Sequence, residues 1–322
     1  MDLRQFDLNL LVALDALLTE KSVTRAGARM HLSQSAMSGA LARLRYVFHD
    51  ELLVPIGRHM ELTPLAQDLV QPVRDILLQV RSAINTTSRF DPATAERPFS
   101  IAASDYVTTV LLSGLLQHLA SQAPHVTFEL RPVGSRAKDD LERGTLDFMI
   151  VPAEYVSPLH PTEVLFEESY TCIAWRHSKA VRATLSMEEY LSLGHVVVRV
   201  SDGGGPNFDE QVLERLGYKR RVDVWTPSFD TAPHLVVGTN RLATITTRLA
   251  RIYAGVLPLK LLPVPFVMPP MTEMLQWHKA HDQDPACLWL RDELRWAVSR
   301  LPRVTEIRRA SRAARMRLVS RH

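Results

Sequence analysis

Cysteines and long apolar runs are both scarce in this chain of 322 residues. Its two cysteines, Cys172 and Cys287, lie far apart and outside any CxxC pattern, which excludes a disulfide-stapled scaffold and indicates free thiols in a reducing compartment. No apolar run approaches the roughly 20 residues that span a bilayer. The first residues carry neither a basic leader nor a small-residue cleavage site, so no secretory signal is indicated. We therefore expect a cytoplasmic protein without a membrane partner.

Acidic residues are missing from one stretch near the start of the chain. Residues 21–49 contain five lysines and arginines and no aspartate or glutamate, although the whole chain has a net charge of only +3. The segment 302–322 is also basic, with seven arginines against Glu306, and its composition predicts disorder or a frayed helix. Local positive charge of this kind is typical of nucleic-acid contact, and the tail would add nonspecific affinity for DNA.

The segment between residues 7 and 62 predicts a winged helix-turn-helix. Apolar residues at spacings near 3.6 predict a helix at 7–18, and a second helix begins at Ser22 or Thr24 and ends near residue 32. Ser33 caps a third helix, which extends to about residue 48. The short apolar stretch 52–62 predicts a β-hairpin, and a hairpin directly after a helix-turn-helix is a wing.

A longer helix is predicted from Thr63-Pro64 to about residue 87, because threonine is a favoured cap and proline is tolerated at the first helical position. Its apolar residues step by three and four, which is coiled-coil spacing. They are Leu69, Val73, Ile76, Val80 and Ala83. An ordinary amphipathic helix packed on its own domain fits the pattern equally well, so the two interpretations stay open.

Beyond a proline-containing hinge at about 90–98, strands and helices alternate. The predicted strands lie at 100–103, 126–130, 146–151, 195–200, 222–225 and 242–246, and the predicted helices at 106–122, 135–143 and 207–216. Such alternation predicts an α/β sheet covered by helices on both faces. About 210 residues of this pattern favour two lobes over one.

Several segments together carry a specific resemblance. The stretch FDLNLLVALDALLTEKSVTRAGARMHLSQSAMSGALARLRYVFHDELLVPIGRHMELTP resembles the N-terminal domain of LysR-type transcriptional regulators, in the branch of the nodulation and the salicylate- and nitroaromatic-responsive regulators. The segments GTLDFMIVP, LFEESYTCIAW, GHVVVRV, RLAT and LQWHKAHDQDPACLWLRDEL match the same branch. The similarity covers nearly all of residues 1–301.

The resemblance implies a homo-oligomer, a dimer or tetramer, that binds operator DNA and a small, aromatic or carboxylate-bearing effector, with RNA polymerase as a possible partner. The expected fold is α/β with an N-terminal all-α winged helix-turn-helix and a two-lobed sensing domain like the type 2 periplasmic binding proteins. The expected domains are a DNA-binding domain at 1–63, a dimerisation helix at 64–88, a hinge at 89–97, a sensing domain at 98–301 and a tail at 302–322. Lobe I would hold 98–168 and 272–301, and lobe II 169–271.

Candidates for DNA contact follow from the predicted recognition helix, which must place short polar side chains and arginines against base edges and phosphates. They are Ser33, Gln34, Ser35 and Ser38 at its start, Arg43 and Arg45 further along, Arg25 and Arg29 on the preceding helix, and Arg58 at the wing tip. A glutamine amide can bond adenine bidentately, and an arginine at the wing tip can enter the minor groove. The alternative for each residue is a solvated surface position.

Candidates for effector contact follow three predicted strands, because ligands of open α/β sheets settle at the carboxyl ends of strands. They are Ser104, Asp105, Ser201, Asp202, Gly203 and Thr246, and the resemblance adds Ser169 and Phe229. Helix capping is an equally good role for Ser104, Asp105 and Thr246. The preference for aromatic effectors is implied by the resemblance alone.

Catalytic motifs are missing from the sequence, which has no G-x-S-x-G, no H-E-x-x-H and no dinucleotide fingerprint. We therefore expect no enzyme, no catalytic residues, no cofactor and no metal. His278 and His281 near Asp282 and Asp284 form only a weak metal pattern, because two histidines without a third partner are nonspecific. Two rival functions stay open, a regulator that works without a ligand through protein contacts and, less favoured, an enzyme with a degenerate binding-protein fold.

Overall fold

The computed structural model describes residues 7–57, 59–85, 90–199 and 207–302, with the side chains of 81–85 and 135 left undescribed. The chain divides into two compact units, of which the first comprises the residues up to 88 and the second nearly all of the remainder. Within the described ranges, no helix is both long enough and apolar enough to cross a membrane.

The first unit is a bundle of helices with a two-stranded hairpin. Its elements are α1 (Asn9–Glu20), α2 (Val23–Arg29), α3 (Gln34–Phe48), β1 (Leu53–Ile56), β2 (His59–Leu62) and α4 (Pro64–Asn85). The predicted caps are confirmed, because Ser22 Oγ accepts a hydrogen bond from the Arg25 N–H at 3.3 Å and Ser33 Oγ accepts one from Ala36 at 3.1 Å. Thr63 Oγ1 likewise accepts from the Ala66 N–H at 3.1 Å. The polar hydroxyls thus set where three of the four helices begin.

The core of the first unit lies where α1, α2, α3 and α4 meet. Leu14, Met37 and Leu44 are fully buried there, and Val73 of α4 is 3% exposed. Gly27 allows the backbone of the α2–α3 turn to pack closely against α2, because a Cβ at this position would lie only 3.1 Å from the Leu32 carbonyl oxygen. The tight packing fixes which face of α3 points outward.

The first lobe of the second unit is a five-stranded sheet with the order β4-β3-β5-β12-β6. Its strands are β3 (Pro98–Ala103), β4 (Thr127–Pro132), β5 (Phe148–Pro152), β6 (Thr162–Glu168) and β12 (Met271–Trp277). Its helices are α5 (Asp105–Val107), α6 (Ser113–Gln122), α7 (Ser135–Glu142) and α12 (Pro285–Ser299). The helix predicted at 106–122 is present, but a π-helical turn, Thr108–Leu112, separates α5 from α6.

The second lobe is another five-stranded sheet, with the order β11-β7-β10-β8-β9. Its strands are β7 (Tyr170–Trp175), β8 (Gly194–Val198), β9 (Arg221–Thr226), β10 (Leu242–Thr246) and β11 (Leu259–Leu262). Its helices are α8 (Met187–Ser192), α9 (Phe208–Arg215), α10 (Ala232–Val236) and α11 (Thr247–Val256). The predicted two-lobed α/β architecture is therefore present.

Each sheet contains both parallel and antiparallel strands. This arrangement decides which strand ends lie side by side. In the first lobe β3 runs parallel to β4 and β5, whereas β12 runs antiparallel to β5 and β6. In the second lobe β10 runs parallel to β8 and antiparallel to β7. The beginnings of β12 and β7 therefore lie beside the carboxyl ends of β5 and β10, with Glu273 paired to Pro152 and Tyr170 paired to Thr246.

The chain crosses between the lobes at Glu168, where a buried ion pair holds the crossing strand. Glu168 is fully buried, and its Oε2 lies 3.0 Å from Nη1 of Arg248 on α11. The same guanidinium group donates to the Glu167 carbonyl oxygen at 2.8 Å. Because both charges are hydrogen-bonded, this crossing point can be buried without an unpaired charge.

Candidate functional site

The outward face of α3 carries the polar residues that the sequence singled out. Ser33, Gln34, Ser35 and Ser38 are all exposed, and the Ser33 and Ser35 hydroxyls lie 2.9 Å apart. Ser33 also caps the helix, so its hydroxyl has a structural role as well. The four residues form one polar patch around the positive N-terminus of a 15-residue helix, an arrangement suited to phosphates and base edges.

The arginines of α2 are paired with acidic residues of α1. Arg25 is 66% exposed in its side chain, lies 3.5 Å from Glu20 and donates to the Glu20 carbonyl oxygen. Arg29 lies 3.5 Å from Asp15 and 3.7 Å from Glu20. These long contacts at an exposed surface contribute little stability, so either guanidinium can exchange its carboxylate for a phosphate.

Arg43 and Arg45 lie on the same helix but in different environments. Arg43 is 63% exposed in its side chain, with Asp7 at 3.6 Å. Arg45 donates to two backbone carbonyl oxygens at the start of the wing, from Nε to Glu51 at 2.8 Å and from Nη2 to Leu53 at 3.0 Å, and it also pairs with the Glu51 carboxylate at 2.9 Å. Arg45 therefore connects α3 to the wing, whereas Arg43 is available to a ligand. Arg58 lies outside the described residues.

The different environments of Arg43 and Arg45 predict different outcomes for two matched substitutions. Arg45→Met should lower the unfolding free energy of the first unit by about 1–2 kcal/mol, because two carbonyl oxygens lose their donors. Arg43→Met should change that free energy by less than about 0.5 kcal/mol, as exposed ion pairs contribute little, and should weaken DNA binding instead. Urea unfolding and gel shifts of both variants measure the two effects. Equal loss of stability in both variants would contradict the assignment.

Tyr46 is an exposed residue of α3 that the sequence interpretation did not include. Its side chain is 81% exposed, and its ring lies 6.3 Å from the ring of His49. Tyr46 follows Ser35, Gly39 and Ala42 along the centre of the outward face, since these positions repeat at helical spacing. Sequence alone gave no signal for Tyr46, because single apolar side chains are common on protein surfaces.

The second unit contains a cavity of about 290 Å³ between its two sheets. It is lined mainly by apolar and aromatic side chains from both lobes, which include Tyr106, Met149, Tyr170, Phe208 and Phe229. Two ring contacts bracket it, Tyr106 with Phe229 at 6.2 Å between ring centroids and Tyr170 with Phe208 at 5.6 Å. A concave, mainly apolar space with a few polar groups is the usual form of a small-molecule site.

Three of the predicted effector residues line this cavity, namely Ser104, Phe229 and Thr246. Ser104 caps α5 by accepting from the Val107 N–H at 3.2 Å, so capping and lining coincide there. Thr246 occupies the cap position of α11 without a side-chain capping bond, and its Oγ1 is buried without a hydrogen-bond partner among the described residues. For Thr246 the capping alternative is therefore wrong.

The other predicted residues lie beside the cavity or outside the described part of the chain. Asp105 joins the lobes, because its Oδ2 accepts from Ser228 Oγ at 2.7 Å and from the Asp230 N–H at 3.1 Å. Ser169 Oγ donates to Thr247 Oγ1 at 2.8 Å at the lobe crossing, and it is not a lining residue. Ser201, Asp202 and Gly203 fall outside the described residues.

A buried acidic group anchors one wall of the cavity. The Tyr106 hydroxyl donates to Glu168 Oε2 at 2.8 Å, and that oxygen also pairs with Arg248. Burial, together with the charge of Glu168, raises the pKa of Tyr106 well above its usual value. The Tyr106 hydroxyl is therefore neutral, and its proton is bonded to Glu168. Tyr106 contributes its ring to the cavity wall.

Glu273 is the other acidic group at the cavity, and the sequence interpretation missed it. It is 1% exposed, and its Oε2 has no hydrogen-bond partner among the described residues. Burial, with the nearby charges of Glu154 and Glu168, raises the pKa of Glu273 to about 8. An unpartnered polar atom in an apolar wall is a common feature of ligand sites.

His281, Asp284 and Cys287 place their ligand atoms within 4.8 Å of one another. The Arg97 guanidinium occupies the same place, 3.4 Å from Asp284 Oδ2 and 3.8 Å from Cys287 Sγ, and burial raises the pKa of the Cys287 thiol. Asp284 also caps α12 by accepting from the Ala286 N–H at 2.8 Å. A fixed cation and a protonated thiol both disfavour a metal ion, so the cluster is best explained as a helix start.

Comparison with known protein families accounts for both units. Residues 8–67 match the family described as bacterial regulatory helix-turn-helix protein, lysR family. Residues 93–298 match the LysR substrate binding domain. The chain belongs to the LysR family of transcriptional regulators. The polar face of α3 is thus part of a DNA-binding domain, and the two-lobed unit is its effector-binding domain.

Two similar proteins match this LysR-family chain over almost its whole length. Nodulation protein D 3 of Rhizobium leguminosarum bv. phaseoli is 40% identical over 302 residues, which cover 94% of this chain and 100% of the relative. Nodulation protein D 1 of Bradyrhizobium diazoefficiens is 40% identical over 291 residues, which cover 90% and 93%. The expected nodulation branch and the expectation that the chain is not an enzyme are both confirmed.

Solved structures agree with this assignment. A probable transcriptional regulator from Pseudomonas aeruginosa is 30% identical, with a TM-score of 0.63 and coverage of 91% of this chain and 98% of that one. Full-length OxyR from the same organism has a TM-score of 0.68 at 18% identity, with coverage of 92% and 96%. The second comparison supports the fold alone.

Proposed function

We propose that this LysR-family chain is an effector-responsive regulator whose binding to operator DNA is modulated by a small aromatic molecule in the cavity between the two sheets. The apolar cavity carries the proposal, because five aromatic side chains line it, namely Tyr106, Tyr155, Tyr170, Phe208 and Phe229. Aromatic rings pack well against such walls, and a volume of about 300 Å³ is enough for a small ligand.

Operator recognition is assigned to the exposed patch of α3. In this proposal Gln34, Ser35 and Ser38 face base edges, while Arg25 and Arg43 neutralise phosphates. Arg58 would contact the minor groove from the wing tip, and the basic segment 302–322 would add nonspecific affinity. Arg45 supports this surface indirectly through its hydrogen bonds to the wing.

The chain is proposed to act as a homo-oligomer in which α4 pairs two copies. Ile76 and Val80 support this role, because they are 42% and 43% exposed while sharing the spacing of the buried Val73. Exposed apolar side chains at coiled-coil spacing are stabilised by a second helix. The domains proposed are 1–63 for DNA binding, 64–88 for pairing, 89–97 as a hinge and 98–301 for sensing.

Signal transmission is proposed to start from lobe closure. The lobes already meet through Asp105 with Ser228, and through Thr109 Oγ1, which donates to Asp230 Oδ2 at 2.7 Å. A ligand that packs between Tyr106 and Phe229 would favour the closed arrangement, since it contacts both lobes. Closure would change the spacing of the DNA-binding units, the bend of the operator and the access of RNA polymerase.

The test is a gel shift of the full chain on the DNA upstream of its own coding sequence, against competitor DNA at fixed salt. Specific retention with an effector-dependent footprint is the expected result. Specific retention that no aromatic compound alters would favour a regulator that works without a ligand. Binding that depends on salt and ignores sequence would contradict operator recognition by the α3 patch.

A further inference from the structure

Two polar side chains of the cavity wall lack partners. Glu273 on β12 and Thr246 at the end of β10 are each 1% exposed, and both line the cavity. Neither Glu273 Oε2 nor Thr246 Oγ1 has a hydrogen-bond partner within the described ranges. Leaving a buried polar group unpaired costs free energy, so a ligand that supplied the missing hydrogen bonds to both groups would be bound more tightly.

The charges that face Glu273 are mainly acidic. Glu154 and Glu168 lie close enough to disfavour its ionisation. The Arg248 guanidinium group beside Glu168 is already bound to that carboxylate and to the Glu167 carbonyl oxygen. Lys138 is an exposed residue of the lining.

The tyrosine hydroxyls of the cavity supply no positive charge. The Tyr106 hydroxyl donates to Glu168, and the Tyr170 hydroxyl donates to Met271 Sδ at 3.1 Å. Tyr155 is exposed, and its hydroxyl accepts from Gln211 Nε2 at 3.3 Å. Lys138 is the one cation among the described lining residues, but it is exposed on α7 and is not among the charges that influence the Glu273 carboxyl. An anionic ligand bound at Glu273 would therefore have no buried cation beside it.

We propose that Glu273, assisted by Thr246, is the specificity-determining residue of the cavity and selects uncharged effectors with a hydrogen-bond acceptor, such as a ketone or amide oxygen, over carboxylates. The inference rests on the proposed function of the cavity. The protonated Glu273 carboxyl donates one hydrogen bond to the acceptor, and the Thr246 hydroxyl supplies a second. A carboxylate at the same place would lose its hydration without gaining a cation, which disfavours its binding.

The proposal implies a pH dependence with a definite sign. Because burial raises the pKa of Glu273 to about 8, the carboxyl is mostly protonated at neutral pH. An acceptor ligand needs that proton, so its affinity should be constant below the pKa and decrease above it. Between about pH 7 and about pH 9 the decrease should be about tenfold.

The experiment titrates the full chain with two probes of nearly equal shape, methyl naphthyl ketone and naphthoate, followed by naphthalene fluorescence. The ketone should bind at least about tenfold more tightly than naphthoate at neutral pH. Ala137→Phe, which fills the cavity from α7, should abolish binding of the ketone and so locate the probe.

Glu273→Gln is the decisive variant, because glutamine keeps the shape and a donor but does not titrate. It should retain ketone binding and lose the dependence on pH. The matched control is Glu129→Gln, since Glu129 is exposed on β4 and is not a lining residue. The control should behave as the unmodified chain does.

The outcomes separate the two proposals. If naphthoate binds as tightly as the ketone, or if Glu273→Gln leaves the pH profile unchanged, the role of Glu273 is overturned while the cavity remains the effector site. If neither probe binds, or if Ala137→Phe has no effect on binding, the cavity is not an aromatic effector site and both proposals are overturned.

Discussion

Gln34→Glu is expected to weaken binding of operator DNA by about a hundredfold at fixed salt, with the fold unchanged. The substitution removes the N–H donor of the glutamine amide and with it a base contact of about 1–3 kcal/mol. The new carboxylate is also repelled by the DNA phosphates. The helix itself should tolerate the change, because Gln34 is the first residue of α3 and a negative charge there favours the helix dipole. Fluorescence anisotropy with labelled operator measures the affinity.

Gln67→Glu is the matched control for this experiment. Gln67 is also exposed and lies near the start of its helix, α4, so the chemical change is the same, with the additional loss of a hydrogen bond from its amide to the Leu62 carbonyl oxygen at 3.3 Å. Its affinity for DNA should change by less than about twofold, since only the general repulsion of one exposed charge remains. If both variants lose affinity equally, the patch around Gln34 is not the recognition surface.

Glu273→Gln is expected to stabilise the second unit, and the gain should increase with pH. The pKa of Glu273 is raised from 4.5 to about 8, so the folded chain retains a proton that the unfolded chain releases. The unfolding free energy of the natural chain is therefore greatest below the unfolded pKa and decreases as pH rises from about 4.5 to about 8. Glutamine does not titrate and so does not lose stability in this way, and the difference in unfolding free energy should reach at most about 5 kcal/mol.

Thermal melting without ligand at about pH 5 and about pH 8.5 measures this effect. The variant should melt several degrees above the unmodified chain at the higher pH and close to it at the lower pH. Glu129→Gln, an exposed acid on β4, should show little difference at either pH. A constant difference at both pH values would mean that Glu273 does not titrate in this range.

The local features of the first unit were accessible from sequence because they depend on neighbouring residues. Ser22, Ser33 and Thr63 cap their helices as predicted, since a cap requires only a hydroxyl and an N–H three residues away. Sequence could not distinguish Arg43 from Arg45 on the same helix. That distinction depends on where the wing carbonyl groups lie after folding.

The effector cavity shows more clearly which residues could be predicted from sequence and which depend on the tertiary structure. Ser104 and Thr246 were predicted because they follow strands whose carboxyl ends commonly hold ligands. Glu273 and Tyr170 were missed because they stand at the beginnings of strands, where that rule gives no signal. They reach the cavity because β12 and β7 run antiparallel to their neighbours.

By itself, the sequence determined the family, the winged helix-turn-helix and the two-lobed α/β sensing unit, because periodicity, caps and turns are encoded within short segments. Only the tertiary structure decided which polar groups stay unpaired. Glu273, Glu168 and Arg248 are far apart along the chain, and whether a buried charge has a partner depends on contacts between strands and helices of different lobes. Pairing sets the charge that a ligand meets, so the chemistry of the cavity follows from packing between distant segments.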